Sequence, residues 1–292
     1  MTLIHSVDRY AVLGHPIAHS LSPLIHAAFA AQTSQHLSYE AIDVPPEQLV
    51  ATFERLPQEG YQGVNITVPH KETAWAYAQQ HGTLSERAAL AGAVNTLAWR
   101  DAGSLLGDNT DGQGLLNDLQ GRHKLSLAGK KILLLGAGGA TRGVILPLLA
   151  AQPAALIIAN RTVDKAQILV QLFADKAGPT ELRACGLDTL GTSISDQGAC
   201  DLVINATSAS LSGEAIGLPA GTLAANGFAY DMMYGKALTP FLQAQRAAGT
   251  QHLADGLGML VEQAAVAFAL WRGITPDTQP VYQSLRERLA RH

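Results

Sequence analysis

The chain has 292 residues, 47% of them hydrophobic and 15% charged, with a formal net charge of −4. That length accommodates two domains of ordinary size with separate cores, and a mildly acidic chain without a clustered basic face argues against nucleic acid as a partner. The two cysteines, Cys185 and Cys200, show no Cys-x-x-Cys pair and no Cys/His ligand spacing, so they read as reduced, semi-buried residues, with no disulfide framework and no metal expected.

In chain order, residues 1–8 lack the basic segment and apolar run of a secretory signal. Residues 10–13 read as a short buried strand, 23–31 as a helix and 37–44 as a second strand. Pro46 opens a helix running to 56, its missing N–H harmless in a first turn. A third strand covers 63–68 and a helix 71–80, and 96–100 with 104–106 reads as a hairpin about Asp101-Ala102-Gly103. A helix beginning over 114–119 leads away from this first unit. The second unit has strands at 131–135, 155–159, 201–205 and 228–231. Its helices are 142–150, expected to kink at Pro147, and 163–177. Helices over 258–271 and 279–290 close the chain. The first of these is the most apolar run, yet Glu262 and Gln263 interrupt it and it is too short to span a bilayer. No membrane partner is therefore expected, and the cytoplasm is the default compartment.

The expected fold class is α/β, with two α/β domains flanking a cleft, the second a Rossmann-type doubly wound parallel sheet. The glycine-rich turn Gly136-Ala137-Gly138-Gly139-Ala140 carries that expectation, because it follows the apolar strand 131–135. Glycines let a backbone approach a pyrophosphate closely, and the next helix N-terminus offers free N–H groups and the positive end of a dipole. The full Gly-x-Gly-x-x-Gly pattern is not met, because Thr141 holds the sixth place. The next strand ends in Asn160-Arg161-Thr162, with Lys165 close behind, where an NAD-preferring fold places a carboxylate. Arginine and lysine attract a 2′-phosphate, so the pattern favours NADP. A solvated arginine at a strand end is the plainer alternative.

Ligands in open α/β sheets bind beyond the carboxyl ends of strands, which directs attention to polar residues there. Ser20 and Ser22 precede a proline-opened helix and can present hydroxyls to a carboxylate, although Ser22 also suits a helix N-cap. Alternation sets Asn65, Thr67 and Pro69 on one face, ahead of Lys71. A cation at a helix N-terminus is electrostatically disfavoured, which suits a lysine that gives up a proton, while an ordinary solvated lysine is the alternative. Asn95 offers both donors and acceptors to a polyhydroxylated ligand. Asp111 stands where the first unit hands over to the second and either faces the cleft or caps the following helix. A Lys71–Asp111 pair sharing a cleft would be a coupled proton-transfer unit.

The succession His-Ser-Leu-Ser-Pro (19–23), Asn-Ile-Thr-Val-Pro-His-Lys (65–71), Gly-Ala-Val-Asn-Thr (92–96), Asp-Asn-Thr-Asp-Gly (108–112), Gly-Ala-Gly-Gly-Ala (136–140), Asn-Arg-Thr (160–162) and Asn-Ala-Thr-Ser (205–208) closely resembles the shikimate dehydrogenase family. Asp-Met-Met-Tyr (231–234) and Asp-Gly-Leu-Gly-Met-Leu-Val-Glu-Gln-Ala-Ala (255–265) continue the match in order along nearly the whole chain. The resemblance implies a reversible, NADPH-dependent reduction of 3-dehydroshikimate to shikimate on the route to aromatic amino acids. It implies Lys71 and Asp111 as the catalytic pair, Ser20 and Ser22 on the substrate carboxylate, and Thr67, Asn95 and Gln263 on hydroxyls, with Tyr234 reaching the substrate. It implies Gly136, Ala137, Gly138, Gly139, Ala140, Asn160, Arg161, Thr162 and Lys165 on NADP, with Thr207, Met232 and Gly256 beside the nicotinamide. It further implies that residues 256–292 complete a substrate domain built from 1–110, leaving 111–255 as the nucleotide domain; a monomer or homodimer is expected.

Two positions depart from the family pattern. Ala27 stands where asparagine is usual and is expected to alter packing behind the serines, and Ser210 stands where glycine is common. Competing readings are a quinate/shikimate dehydrogenase using NAD, against which Arg161 speaks, and a non-catalytic metabolite sensor, against which the retention of both Lys71 and Asp111 speaks. A tetrahydrofolate dehydrogenase of similar build is more remote, because the Ser20/Ser22 pair suits a small carboxylate.

Overall fold

The computed structural model describes residues 7–291 apart from 101, 102, 196, 197, 208, 210–212 and 215. The chain forms two compact units, one of Met1–Gly114 with Val261–Val281 and one of Leu115–Leu260 with Tyr282–His292.

The first unit carries a six-stranded mixed sheet in the order β2-β1-β3-β5-β6-β4, from β1 (Asp8–Gly14), β2 (Leu37–Asp43), β3 (Tyr61–Ile66), β4 (Thr83–Leu84), β5 (Thr96–Trp99) and β6 (Leu105–Asp108). Strands β2, β1 and β3 run parallel, and β5 returns antiparallel to both β3 and β6. Alternation sorts the core. Ala11, Leu13, Val64 and Ile66 face a cluster built with α2 (Leu49–Gln58) and α3 (Lys71–His81). Tyr10 on the other face stacks at 4.8 Å on Trp271 of α10 (Leu257–Arg272), and Phe29 of α1 (Ser22–Gln32) meets Phe268 edge-on. Gly63 is a glycine for a reason on this face, since a Cβ there would lie 2.3 Å from the Trp271 indole nitrogen.

The second unit is a six-stranded sheet, parallel throughout, in the order β12-β11-β10-β7-β8-β9. Its strands are β7 (Lys131–Leu135), β8 (Ala155–Asn160), β9 (Glu181–Gly186), β10 (Cys200–Asn205), β11 (Leu223–Asp231) and β12 (His252–Asp255). Counted from β7, this is the 3-2-1-4-5-6 order of a doubly wound dinucleotide fold, with its switch point between β7 and β10. The expectation of two α/β units, the second Rossmann-type, is met.

Several elements fall outside the periodicity reading: β4, β9, β12, α4 (Glu86–Ala91), α8 (Leu190–Ser195) and α9 (Pro240–Ala247). The helix after the glycine turn, α6 (Gly139–Ala150), starts three residues earlier than expected and continues through Pro147 as one helix. The next, α7 (Val163–Phe173), gives way to a 3₁₀ turn at Ala174–Lys176. Between the units, α5 (Asp111–Asn117) runs into a π-helical turn, Asp118–Arg122. Asp111 to Gly114 belong to the first unit because a Cβ on Gly114 would lie 2.6 Å from the backbone nitrogen of Gln263. The end of α11 (Thr278–Arg291) belongs to the second, where Arg286 grips the Asp255 carboxylate with both terminal nitrogens. The hairpin residues Asp101 and Ala102, and Ser210, lie outside the described residues.

Candidate active site

In the first unit the strand-end residues converge on one buried network. Lys71 is the first residue of α3, and its Nζ donates to Asp111 Oδ2 at 2.5 Å, with the two side chains 25% and 12% exposed. The Lys71 carbonyl accepts from Val94 N–H at 2.9 Å, which ties the start of α3 to the loop before β5. From that loop Asn95, 2% exposed, donates through Nδ2 to Asp111 Oδ1 at 2.8 Å and to Thr110 Oγ1 at 2.9 Å. Asn95 Oδ1 accepts from Thr110 N–H at 2.8 Å and from Thr96 Oγ1 at 2.9 Å. Gln263 Oε1 lies 3.4 Å from Asn95 Nδ2 and 3.3 Å from Thr110 Oγ1. Asp111 is therefore not spent as a cap, and Lys71 is not a solvated lysine. A carboxylate held on one oxygen by an amide and on the other by an ammonium is a fixed, charge-assisted arrangement.

A second buried carboxylate secures the loop carrying Asp111. Asp108, 2% exposed, accepts from Arg87 on both oxygens, from Ser85 Oγ and from Asn109 N–H. Burial alone would raise its carboxyl, but Arg87, Ser85 and the Asn109 amide outweigh burial and leave it below the ordinary carboxylate value.

The serines lie at the mouth of α1. Ser22 is its first helical residue, with Leu21 at the cap position and no capping side chain, so Ser22 is not the N-cap. Ser20 Oγ accepts from Ser22 N–H at 3.3 Å. Thr67 follows β3, and a Cβ on Gly14 would meet its methyl at 2.5 Å, so the loops after the neighbouring strands β1 and β3 lie side by side. Ala27 faces outward on α1, so the expectation that it alters packing behind the serines is not met. The buried neighbour is His26.

In the second unit the glycine turn leaves β7 at the switch point. Gly136 sits at φ +107°, and a Cβ there would lie 3.1 Å from Thr207 Cγ2, so the turn and the loop after β10 leave room only for glycine. A Cβ on Gly138 or Gly139 would meet nothing within 4 Å, which leaves an open approach to the α6 N-terminus, with Ala137 and Ala140 flanking it. At the end of β8, Arg161, Thr162 and Lys165 are exposed, and Asn160 Nδ2 donates to the Thr162 carbonyl at 2.8 Å. Thr162 sits at the cap position of α7 without using its hydroxyl there.

The loops after β10 and β11 share a polar tie that periodicity did not point to. Asn205 Oδ1 accepts from the Thr207 hydroxyl and N–H, and Asn205 Nδ2 donates to Asp231, which also accepts from Met233 N–H and Thr239 Oγ1. That tie fixes Thr207 and Met232. Gly256 accepts no side chain, because a Cβ would lie 2.1 Å from the Met232 carbonyl oxygen. Tyr234 lies in the second unit, and burial followed by the nearby Asp255 pushes its phenol up from the ordinary value.

Three known families match successive parts of this chain: a shikimate dehydrogenase substrate binding domain over residues 12–97, a shikimate/quinate 5-dehydrogenase over 119–212, and a shikimate 5'-dehydrogenase C-terminal domain over 256–286. A shikimate dehydrogenase (NADP(+)) of Dechloromonas aromatica is 54% identical over 282 residues, covering 97% of this chain and 98% of its own. The chain belongs to the shikimate dehydrogenase family. An Ael1 enzyme from Pseudomonas putida superimposes with a TM-score of 0.84 at 44% identity, covering 95% of this chain and 98% of that one. The shikimate 5-dehydrogenase of Thermus thermophilus, solved in complex with NADP(H) and shikimate, superimposes with a TM-score of 0.80 at 36% identity, covering 96% and 99%.

The residues expected at the site divide between the units. Ser20, Ser22, Thr67, Lys71, Asn95, Asp111 and Gln263 lie in the first, and the glycine turn, Asn160 to Lys165, Thr207, Met232, Tyr234 and Gly256 in the second. Thr96, Thr110 and Asp108 belong to the polar network without being among the expected site residues. Thr110 and Asp108 stand inside the quoted Asp-Asn-Thr-Asp motif, and a count of buried polar residues at strand ends would have found all three.

Proposed function

We infer that the protein is an NADP-dependent shikimate dehydrogenase, catalysing the reversible reduction of 3-dehydroshikimate to shikimate. The observation that carries this reading is the Lys71–Asp111 contact, held by Asn95 and exposed enough to meet a ligand. The second unit fits a dinucleotide by its own construction: the switch-point glycine turn, the open α6 N-terminus and a strand end at which Asn160 and Arg161 stand in place of a carboxylate.

In this reading Gly136 to Ala140 receive the pyrophosphate, and Asn160, Arg161, Thr162 and Lys165 receive the 2′-phosphate and ribose. Thr207, Met232 and Gly256 flank the nicotinamide. When bound, NADPH supplies a hydride to the C3 carbonyl carbon. Lys71 Nζ delivers a proton to the oxygen that gains charge at C3, and in the reverse direction takes it back. Asp111 holds the ammonium in line and balances its charge, and Asn95 keeps that carboxylate from turning. Ser20 and Ser22 hold the substrate carboxylate, Thr67, Asn95 and Gln263 its hydroxyls, and Tyr234 is a further substrate residue. We place the enzyme in the cytoplasm as a monomer or homodimer.

Steady-state rates with shikimate and NADP, measured against shikimate with NAD and quinate with either nucleotide, test the reading. Shikimate with NADP should give the highest kcat/KM. A preference for NAD would overturn the assignment of Arg161, and a preference for quinate would overturn that of the substrate.

A further inference from the structure

The polar network around Asp111 does not end at Asn95. It continues inward to Tyr39 on the edge strand β2, a residue none of the motifs includes. The Tyr39 hydroxyl donates to Asn65 Oδ1 at 2.7 Å. With its oxygen so engaged, the Asn65 amide turns its nitrogen the other way, donating to Thr96 Oγ1 at 3.0 Å and to the Asn95 carbonyl at 3.2 Å. Thr96 Oγ1 has thus accepted a hydrogen bond and keeps its own proton for Asn95 Oδ1, 2.9 Å away. Asn95 is oriented in turn, and its nitrogen meets Asp111 Oδ1 at 2.8 Å, leaving Oδ2 to Lys71.

Along this path each donation runs from the phenol toward the carboxylate, with Thr110 N–H adding a second donation to Asn95 Oδ1, and Asn65, Asn95, Thr96 and Asp111 are all buried residues. Aligned donors polarise one another, and in a buried setting a half-satisfied member is costly, so the chain has one favoured arrangement. Reversing any amide would set its nitrogen against a donor and its oxygen against an acceptor. The start of the chain is fixed separately. The Tyr39 ring lies flat on the buried His26 imidazole, with centroids 4.0 Å apart and planes 4° apart. Burial pushes the Tyr39 phenol well above its ordinary value, partly offset by the neighbouring Ser22 hydroxyl, so it remains a donor throughout the working range.

We propose that Tyr39 is a positioning residue for the reaction, its hydroxyl setting through Asn65, Thr96 and Asn95 the orientation of Asp111 toward Lys71. The inference rests on the dehydrogenase reading above. Tyr39 touches no reacting atom in that reading, and the relay ends on Asp111 and Lys71, so its effect falls more on turnover than on the capture of substrate.

Tyr39→Phe tests this, because it removes the hydroxyl and retains the ring stacked on His26. With shikimate and NADP, kcat should fall about 3- to 10-fold, the worth of one buried hydrogen bond, while KM for shikimate changes less than kcat. Asn65→Ala should cost at least as much, and the double variant should be no slower than Asn65→Ala alone, because both break one chain. A Tyr39→Phe enzyme with unchanged kcat, or one with KM raised and kcat kept, would overturn the proposal, as would strictly multiplicative losses in the double variant. Inactivity of the unsubstituted enzyme on shikimate would instead strike the dehydrogenase reading itself.

Discussion

Lys71 is the residue on which the proposed chemistry turns, and its surroundings say how to test it. Its Nζ pairs with Asp111 Oδ2 at 2.5 Å, and a quarter of the side chain remains exposed. Lys71→Ala should lower kcat by about 10²–10⁴, the usual worth of a general acid–base group, with a smaller effect on KM for shikimate. Steady-state kinetics in both directions check this, and a variant that lost affinity while keeping its turnover would make Lys71 a binding residue. At this scale the sequence was most legible where motif and strand end coincide: Lys71 and Asp111 come shortly after β3 and β6, and Asn95 immediately precedes β5. It was least legible where a side chain reaches its partner across the sheet. Tyr39 and Asn65 meet only because β2 and β3 flank β1 in parallel register, a pairing that no local pattern announces.

Among the elements, two close approaches carry the geometry of the site. The start of α5 passes so near α10 that a Cβ on Gly114 would sit 2.6 Å from both the nitrogen and the Cβ of Gln263. Alanine is favoured over glycine in a helix by up to about 1 kcal/mol, whereas forcing a methyl against backbone costs about 1–3 kcal/mol. Gly114→Ala should therefore destabilise the protein and, by displacing Gln263 from Asn95 and Thr110, lower kcat/KM as well. Gly121, where a Cβ meets nothing within 4 Å, is the control, and Gly121→Ala should keep kcat/KM and leave stability equal or higher by up to about 1 kcal/mol. Thermal unfolding and kinetics on both variants decide it, and a Gly114→Ala enzyme with wild-type stability and activity would refute the tight approach. The unpredicted elements have physical reasons of their own. Strands β9 and β12 are the sheet's edges, with only their final residues buried, so neither shows the apolar run of a central parallel strand. Helices α4 and α9 are short, yet each carries a readable start signal, Ser85 and Thr239, whose oxygens accept from Ala88 and Leu242 N–H.

At the scale of the whole molecule, His26 links acidity to stability through the first unit alone. It is 1% exposed, neither ring nitrogen finds a partner at hydrogen-bonding geometry, and burial pushes its imidazole down to about 3, an effect the nearby Asn65 offsets only in part. The folded protein therefore holds His26 neutral at pH values where the unfolded chain, with an ordinary value of 6.5, takes up a proton. Above pH 6.5 both states are neutral at this site and it contributes no pH dependence. As the pH falls through 6.5 toward 3, the unfolded state gains the extra proton, and stability should fall by about 1.4 kcal/mol per pH unit from this residue. All three tryptophans, Trp75, Trp99 and Trp271, lie in the first unit, so their fluorescence during urea unfolding reports on the unit that contains His26. His26→Phe keeps an aromatic ring against Tyr39 and removes the titration. Relative to that variant, the wild-type unfolding free energy should lose roughly 2–3 kcal/mol between pH 7 and pH 4.5. Carboxylates such as Asp108 titrate equally in both proteins and cancel in the difference. Parallel profiles for the two proteins would mean that His26 takes up its proton in the folded state, and with it would go the view of this imidazole as a buried neutral ring beneath Tyr39.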